Sequence, residues 1–216
     1  MEDRLLERKT SMSENKSGKM ANKFDLCKRF NLDINKPLFS FIGRLVYEKG
    51  ADLLPTIFYK SLIKGEINIL ILGSGEVKVE AELKSLDIPF KNNYASYIGY
   101  DEKLAHQIYA GSDFLLMPSR VEPCGLNQMY ALRYGTIPVV RRTGGLKDTV
   151  IDIGDGGFGI CHDKTSVEDV VYSIDRAVLL YKNKSEFNKI RKKCMQIDHS
   201  WDLSVREYLS LYQSIN

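Results

Sequence analysis

The sequence contains no Cys-x-x-Cys pair. Its four cysteines, Cys27, Cys124, Cys161 and Cys194, are scattered, which argues against a disulfide scaffold or a structural zinc and fits reduced thiols. Histidine is scarcer still. His106, His162 and His199 have no partner spaced for metal binding or for activating a nucleophile, so all three read as packing or surface residues. No apolar run approaches the ~20 residues of a membrane span. The leader, MEDRLLERKTSMSENKSGKMANK, lacks a secretory apolar core, and the expectation is a cytoplasmic protein. Charge of one sign is also missing: 31 basic against 28 acidic residues leave a net +3, which points to neither nucleic acid nor an anionic membrane. The one basic cluster, residues 189–193, lacks the interleaved aromatics of a nucleic-acid surface. No internal repeat is evident.

What is present is enough apolar material, 44% of 216 residues, to fill one core. Apolar periodicity is almost absent before Phe24. Residues 1 to about 22 therefore read as a mobile linker or terminal edge, leaving 23–216 as the domain. From Pro37 onward, short apolar runs alternate with amphipathic stretches. Strands are expected at 38–42, 67–72, 97–98, 114–117, 137–140 and 158–161, each followed by a helix. That alternation predicts an α/β fold, a Rossmann-like, doubly wound parallel sheet of about six strands with helices at the carboxyl terminus. The helix at 166–181 opens with Thr165-x-x-Glu168, a capping-box pattern. The closing WDLSVREYLSLYQSIN repeats an apolar face through Trp201, Val205, Tyr208, Leu209 and Tyr212, read as core packing.

In open parallel sheets ligands bind beyond the carboxyl ends of the strands, so the residues just after each strand carry the functional reading. After the first comes GRLVYEKG, where Arg44 and Lys49 together would suit a diphosphate; taken singly, each reads rather as a solvated loop cation. After the second comes Gly73-Ser74-Gly75, an incomplete dinucleotide loop, since the third glycine of G-x-G-x-x-G falls at Lys78. A tight turn close to phosphates still fits it. Tyr100 after the third strand could stack on a base, though a tyrosine there, taken alone, is more often packing. After the fourth, PSRVEPCGLNQMYALRYG places the carboxylate of Glu122 ahead of a helix, with amides around Gly125, Leu126 and Asn127 able to meet phosphate. The plain alternative is that Glu122 caps that helix. After the fifth, Arg141, Arg142, Thr143, Gly144 and Gly145 suggest backbone brought close to a ligand.

GRLVYEKGAD, LGSGE, IGY, PSRVEPCGLNQMYALRYG and VVRRTGGLKDTV together closely resemble the bacterial glycogen synthase and plant starch synthase family, glycosyltransferase family 5, from about Lys19 to the end of the chain. The resemblance implies the carboxyl-terminal, donor-binding domain of a retaining glucosyltransferase of the two-domain GT-B architecture. Such enzymes move glucose from ADP-glucose or UDP-glucose to the non-reducing end of an α-1,4-glucan in glycogen biosynthesis, without a cofactor or a metal. By this likeness Arg44 and Lys49 match diphosphate-binding cations, Tyr100 a base-stacking tyrosine and Glu122 a sugar-contacting acid. Cys124, Gly125, Leu126 and Asn127 match the loop whose backbone faces the donor. Three positions depart from the family pattern: Tyr130 replaces a second Glu that many related transferases carry, Asn127 a frequent Thr, and Glu48 a frequent Gln. The amino-terminal domain that meets the glucan lies outside these residues, so weak donor binding and little transfer are expected of the isolated chain. Competing readings are another retaining GT-B transferase, making a sucrose, trehalose or lipid glycoside, and a non-catalytic nucleotide-sugar-binding module.

Overall fold

The computed structural model describes residues 15–215. Six strands form one sheet: β1 (Leu38–Ile42), β2 (Asn68–Gly73), β3 (Tyr94–Ile98), β4 (Phe114–Met117), β5 (Ile137–Arg141) and β6 (Ile160–His162). All neighbours pair in parallel in the order β3-β2-β1-β4-β5-β6, so the winding reverses between β1 and β4. The connecting helices are α1 (Asn15–Phe30), α2 (Leu54–Leu62), α3 (Val77–Ser85), α4 (Glu102–Gly111), α5 (Asn127–Arg133), α6 (Gly144–Thr149), α7 (Val167–Lys182), α8 (Lys184–Gln196) and α9 (Trp201–Ile215). They cover both sheet faces, which is why β2 and β4 are buried at every residue and read as unbroken apolar runs. On one face α2, α3, α7 and α8 enclose Phe39 and Phe114, whose rings stack at 4.7 Å; on the other, α1 and α4 close over Leu38, Leu70 and Leu72. No helix among the described residues is long and apolar enough to cross a membrane.

The linker reading gives way where the structure begins. Residues 1–14 lie outside the described residues, but from Asn15 the chain is helical. Its buried stripe runs Lys19, Lys23, Leu26, Cys27, spaced four, three and one, as one helix face demands. Two of these positions are lysines, so the stripe does not register as apolar. Lys19, 2% exposed, donates to the carbonyls of Tyr109 (3.0 Å) and Tyr134 (3.1 Å) and to the Thr136 hydroxyl. Lys23, 1% exposed, pairs with Asp113 at 2.7 Å and also donates to Lys36 O and the Tyr181 hydroxyl. Burial drives the Lys19 pKa well below the ordinary lysine value. Burial also works against the Lys23 charge, yet Asp113 and Tyr181 hold its pKa above that value.

Three smaller expectations shift. Ser166, one residue past the predicted cap, holds the amide of Asp169 at the start of α7. The last strand is 160–162 rather than 158–161. The apolar face of α9 is open to solvent in this chain, with Trp201 82% exposed, so the core-packing reading of that helix does not hold.

His162 and His199 fall as expected, one packed inside β6 and one on the surface. Burial lowers the His162 pKa below the ordinary 6.5, against the pull of the Lys164 carbonyl that its Nδ1 meets at 2.9 Å. The unfolded chain therefore takes up this proton at a higher pH than the folded one. Stability rises with pH through the window between the lowered folded value and the ordinary one. Urea unfolding of the wild-type chain at pH 5 and pH 7.5 should show the midpoint falling on acidification, with a smaller fall in His162→Asn.

Candidate functional site

The site forms where the winding reverses, from main chain first. The segment after β1 is stitched to the segment after β2 by three backbone hydrogen bonds: Gly43 N to Leu72 O (3.0 Å), Leu45 N to Ser74 O (2.8 Å) and Glu76 N to Leu45 O (2.9 Å). A Cβ at position 73 would stand 2.1 Å from the Gly43 carbonyl oxygen, and one at 75 would collide with Leu45 O. Those glycines thus serve a backbone-to-backbone contact. Of the two, Gly73 lines the cleft and Gly75 does not.

A second seam joins the segments after β1 and β4. The Glu48 carbonyl accepts the amides of Arg120 (2.8 Å) and Val121 (3.1 Å). Arg120 spans the seam with two bonds to Asp52 (2.5 and 3.0 Å) and lies over the Tyr47 ring at 3.8 Å. Glu48 thus contributes its backbone, while its side chain is exposed. Across the seam Lys49 Nζ meets Glu122 Oε2 at 2.5 Å, and Ser119 donates to the same oxygen at 3.2 Å. Glu122 is buried, and α5 opens at Leu126 without a side-chain cap, so the helix-cap alternative is excluded. The carboxylate is held by a cation.

The loop that follows is fixed from below. Gln128 donates to the carbonyls of Cys124 (3.1 Å) and Gly125 (2.9 Å), and Asn127 to that of Ile42 (2.7 Å), tying the start of α5 to the end of β1. Gly145 N bonds the carbonyls of Glu122 (3.0 Å) and Pro123 (3.2 Å), and a Cβ there would stand 2.1 Å from Cys124 O. Gly144 and Gly145 therefore brace the acid's loop from behind, by close backbone-to-backbone approach. Arg141 and Arg142 are likewise engaged within the protein, Arg141 with the carbonyls of Ser119 and Arg120, Arg142 with Asp155 and Asp163.

Against these seams lies a cleft of about 400 Å³, a size that suits a small-molecule ligand. Of the expected residues, Arg44, Gly73, Tyr100 and Asn127 line it; sequence reasoning missed His106 and Tyr130 as wall residues. Arg44 and Tyr100 are both exposed there, Tyr100 at 85%. Lys49 and Glu122 do not line the cleft, nor do Cys124, Gly125 and Leu126; Glu122 to Leu126 form the adjoining loop, connected through Asn127, and Lys49 meets it from the segment after β1. Among the described residues no three His, Cys, Asp or Glu side chains are grouped to hold a metal ion.

A parallel doubly wound sheet with its cleft at the reversal point defines a Rossmann-like domain of the ligand-binding kind. Within that class the chain belongs to the group 1 glycosyl transferases, whose family model matches residues 23–194. It is 57% identical to the glycogen synthase of Flavobacterium johnsoniae over 217 residues, covering 100% of this chain and 46% of that protein. It is 46% identical to the glycogen synthase of Rhodospirillum rubrum, over 92% of this chain and 41% of that one. Among solved structures, the catalytic domain of Starch Synthase IV from Arabidopsis thaliana bound to ADP and acarbose superposes with a TM-score of 0.88 at 32% identity, over 98% of this chain and 45% of that one. The likeness to glycogen and starch synthases read from the motifs is thus borne out along the whole chain. The chain spans about half the length of these relatives.

Proposed function

We propose that this chain is the donor-binding half of a retaining glucosyltransferase of the glycogen synthase type, taking glucose from ADP-glucose or UDP-glucose and delivering it to the non-reducing end of an α-1,4-glucan. The observation that carries the reading is the cleft at the β1–β4 reversal, where Arg44 and Tyr100 share one wall system beside the Lys49–Glu122 pair. A nucleoside diphosphate fits that layout. Its base rests on Tyr100, its phosphates face Arg44 and Lys49, and the sugar's hydroxyls reach Glu122. As the bond from glucose C1 to the diphosphate breaks, the electron pair leaves with the diphosphate, and the two cations stabilise the growing negative charge more than they stabilise the bound donor. Glu122 holds the sugar through its hydroxyls, and its negative charge suits the oxocarbenium character left on the ring. The scheme uses no metal. The glucan is met by the remainder of the longer protein, so this chain alone binds donor weakly and transfers little glucose.

Calorimetric titration of the chain with both sugar nucleotides tests the reading. One of them should bind, and Arg44→Ala should weaken it by about 1–3 kcal/mol, the scale of a charge-assisted contact. Absence of heat with either donor, or turnover on glycogen equal to that of a complete synthase, would overturn it.

A further inference from the structure

Tyr47 carries an aromatic ring that is 60% exposed at the seam between the segments after β1 and β4, and the reading above leaves it without a task. It opens the short helical turn Tyr47–Lys49, two residues before the lysine that meets Glu122. The Arg120 guanidinium lies 3.8 Å from the centre of the ring and is itself locked by its two bonds to Asp52. One ring face is thus set against protein and the other is left to solvent. The seam does not need the ring. Arg120 donates to the Tyr47 carbonyl at 2.8 Å, and the amides of Arg120 and Val121 donate to the Glu48 carbonyl, groups that any residue at 47 or 48 would offer. An aromatic surface left in water gains little from burial, yet here its orientation is fixed by a planar cation. Val121, which precedes Glu122, is 55% exposed on the same seam.

The donor layout says what passes over this surface. A glucose whose hydroxyls reach Glu122 must be attacked at C1 by a hydroxyl of the incoming glucan, so the end of the glucan is brought to the Lys49–Glu122 side of the site. The hydrogens of a pyranose ring give it an apolar face that stacks on an aromatic one, while the tyrosine hydroxyl stays free to meet a hydroxyl of the sugar. Arg120 is neutralised by Asp52, so the platform favours a neutral ligand over an anion. Resting on the donor reading, we infer that Tyr47 is a stacking platform for a glucosyl unit of the acceptor chain, held in plane by the Arg120–Asp52 pair. This half then adds a glucan contact of its own to those of the remainder of the longer protein.

The test is steady-state transfer by the complete protein to maltohexaose, an α-1,4-linked hexasaccharide, from whichever sugar nucleotide it uses. Tyr47→Ala should raise the KM for maltohexaose about tenfold, the scale of losing one aromatic contact, while the KM for the sugar nucleotide and kcat stay as in wild type. Tyr47→Phe and Tyr47→Trp, which keep a ring over Arg120, should retain most of the glucan affinity. An unchanged maltohexaose KM in Tyr47→Ala overturns the assignment. So does an equal rise in the sugar-nucleotide KM, the result expected if the ring serves the donor or braces the fold, because neither role would single out the acceptor. Absence of transfer by the wild-type complete protein from ADP-glucose and from UDP-glucose brings down the donor reading itself, and this inference with it.

Discussion

Glu122→Gln in the complete protein is expected to slow glucose transfer about a thousandfold, on the scale of removing one preorganised charge from a reacting centre, while leaving the fold intact. The fold survives because the loop's shape does not depend on that charge: the Glu122 and Pro123 carbonyls are held by Gly145, and Gln128 holds those of Cys124 and Gly125. What is lost is the partner of Lys49 at 2.5 Å and the acceptor that would face the sugar. Lys49→Ala removes the other member and should also cost orders of magnitude. The two losses should combine to less than their product, because each single change already dissolves the pair. Steady-state rates for the two variants and their double form one cycle, checked against nucleotide affinity. A Glu122→Gln protein with unchanged kcat and KM would mean that the carboxylate only secures the lysine.

The largest effect on stability should come from Asp113→Ala, about 3–5 kcal/mol by urea unfolding, out of the ~5–15 kcal/mol that a domain typically has. Asp113 Oδ2 accepts both Lys23 Nζ at 2.7 Å and the Leu38 amide at 2.9 Å, joining α1 to the first residue of β1. Without it the Lys23 ammonium keeps only the Lys36 carbonyl and the Tyr181 hydroxyl in a place that is 1% exposed. Breaking one side of a buried pair costs more than the pair contributed, since the remaining charge is left uncompensated. Asp113→Asn, which keeps an acceptor for both donors, should fall well short of the alanine penalty. An alanine variant within 1 kcal/mol of wild type, on that same scale, would show that water reaches the lysine.

How much of this was legible in the sequence follows from which groups do the work. The six strands were visible because a two-faced buried sheet writes unbroken apolar runs, and their order of alternation with helices required a parallel sheet. Arg44, Tyr100 and Asn127, singled out because strand ends are where such sheets meet ligands, line the cleft. Gly73, Gly75, Gly144 and Gly145 signal that something comes close, and on the side where a Cβ would stand the close object is another carbonyl, a contact that spacing alone does not reveal. Helix α1 was hidden because its buried stripe spends two positions on lysine, which a hydrophobic pattern counts as surface. His106 was set aside for want of a partner nearby in sequence; its neighbours Tyr130 and Tyr134 are 24 and more residues away and meet it only through the packing of α4 on α5. A histidine three residues before Tyr109, on the helix that leaves the Tyr100 loop, was the available clue.

The seams that hold the cleft open are built from groups that every amino acid possesses. Amide meets carbonyl at 43 and 72, 45 and 74, 48 and 120, 122 and 145. A scaffold written that way is indifferent to drift in most neighbouring side chains, and intolerant of a single added methyl where two strands of backbone touch. Side chains at the rim are free of that constraint, so the lining of the cleft can change without rebuilding the wall behind it.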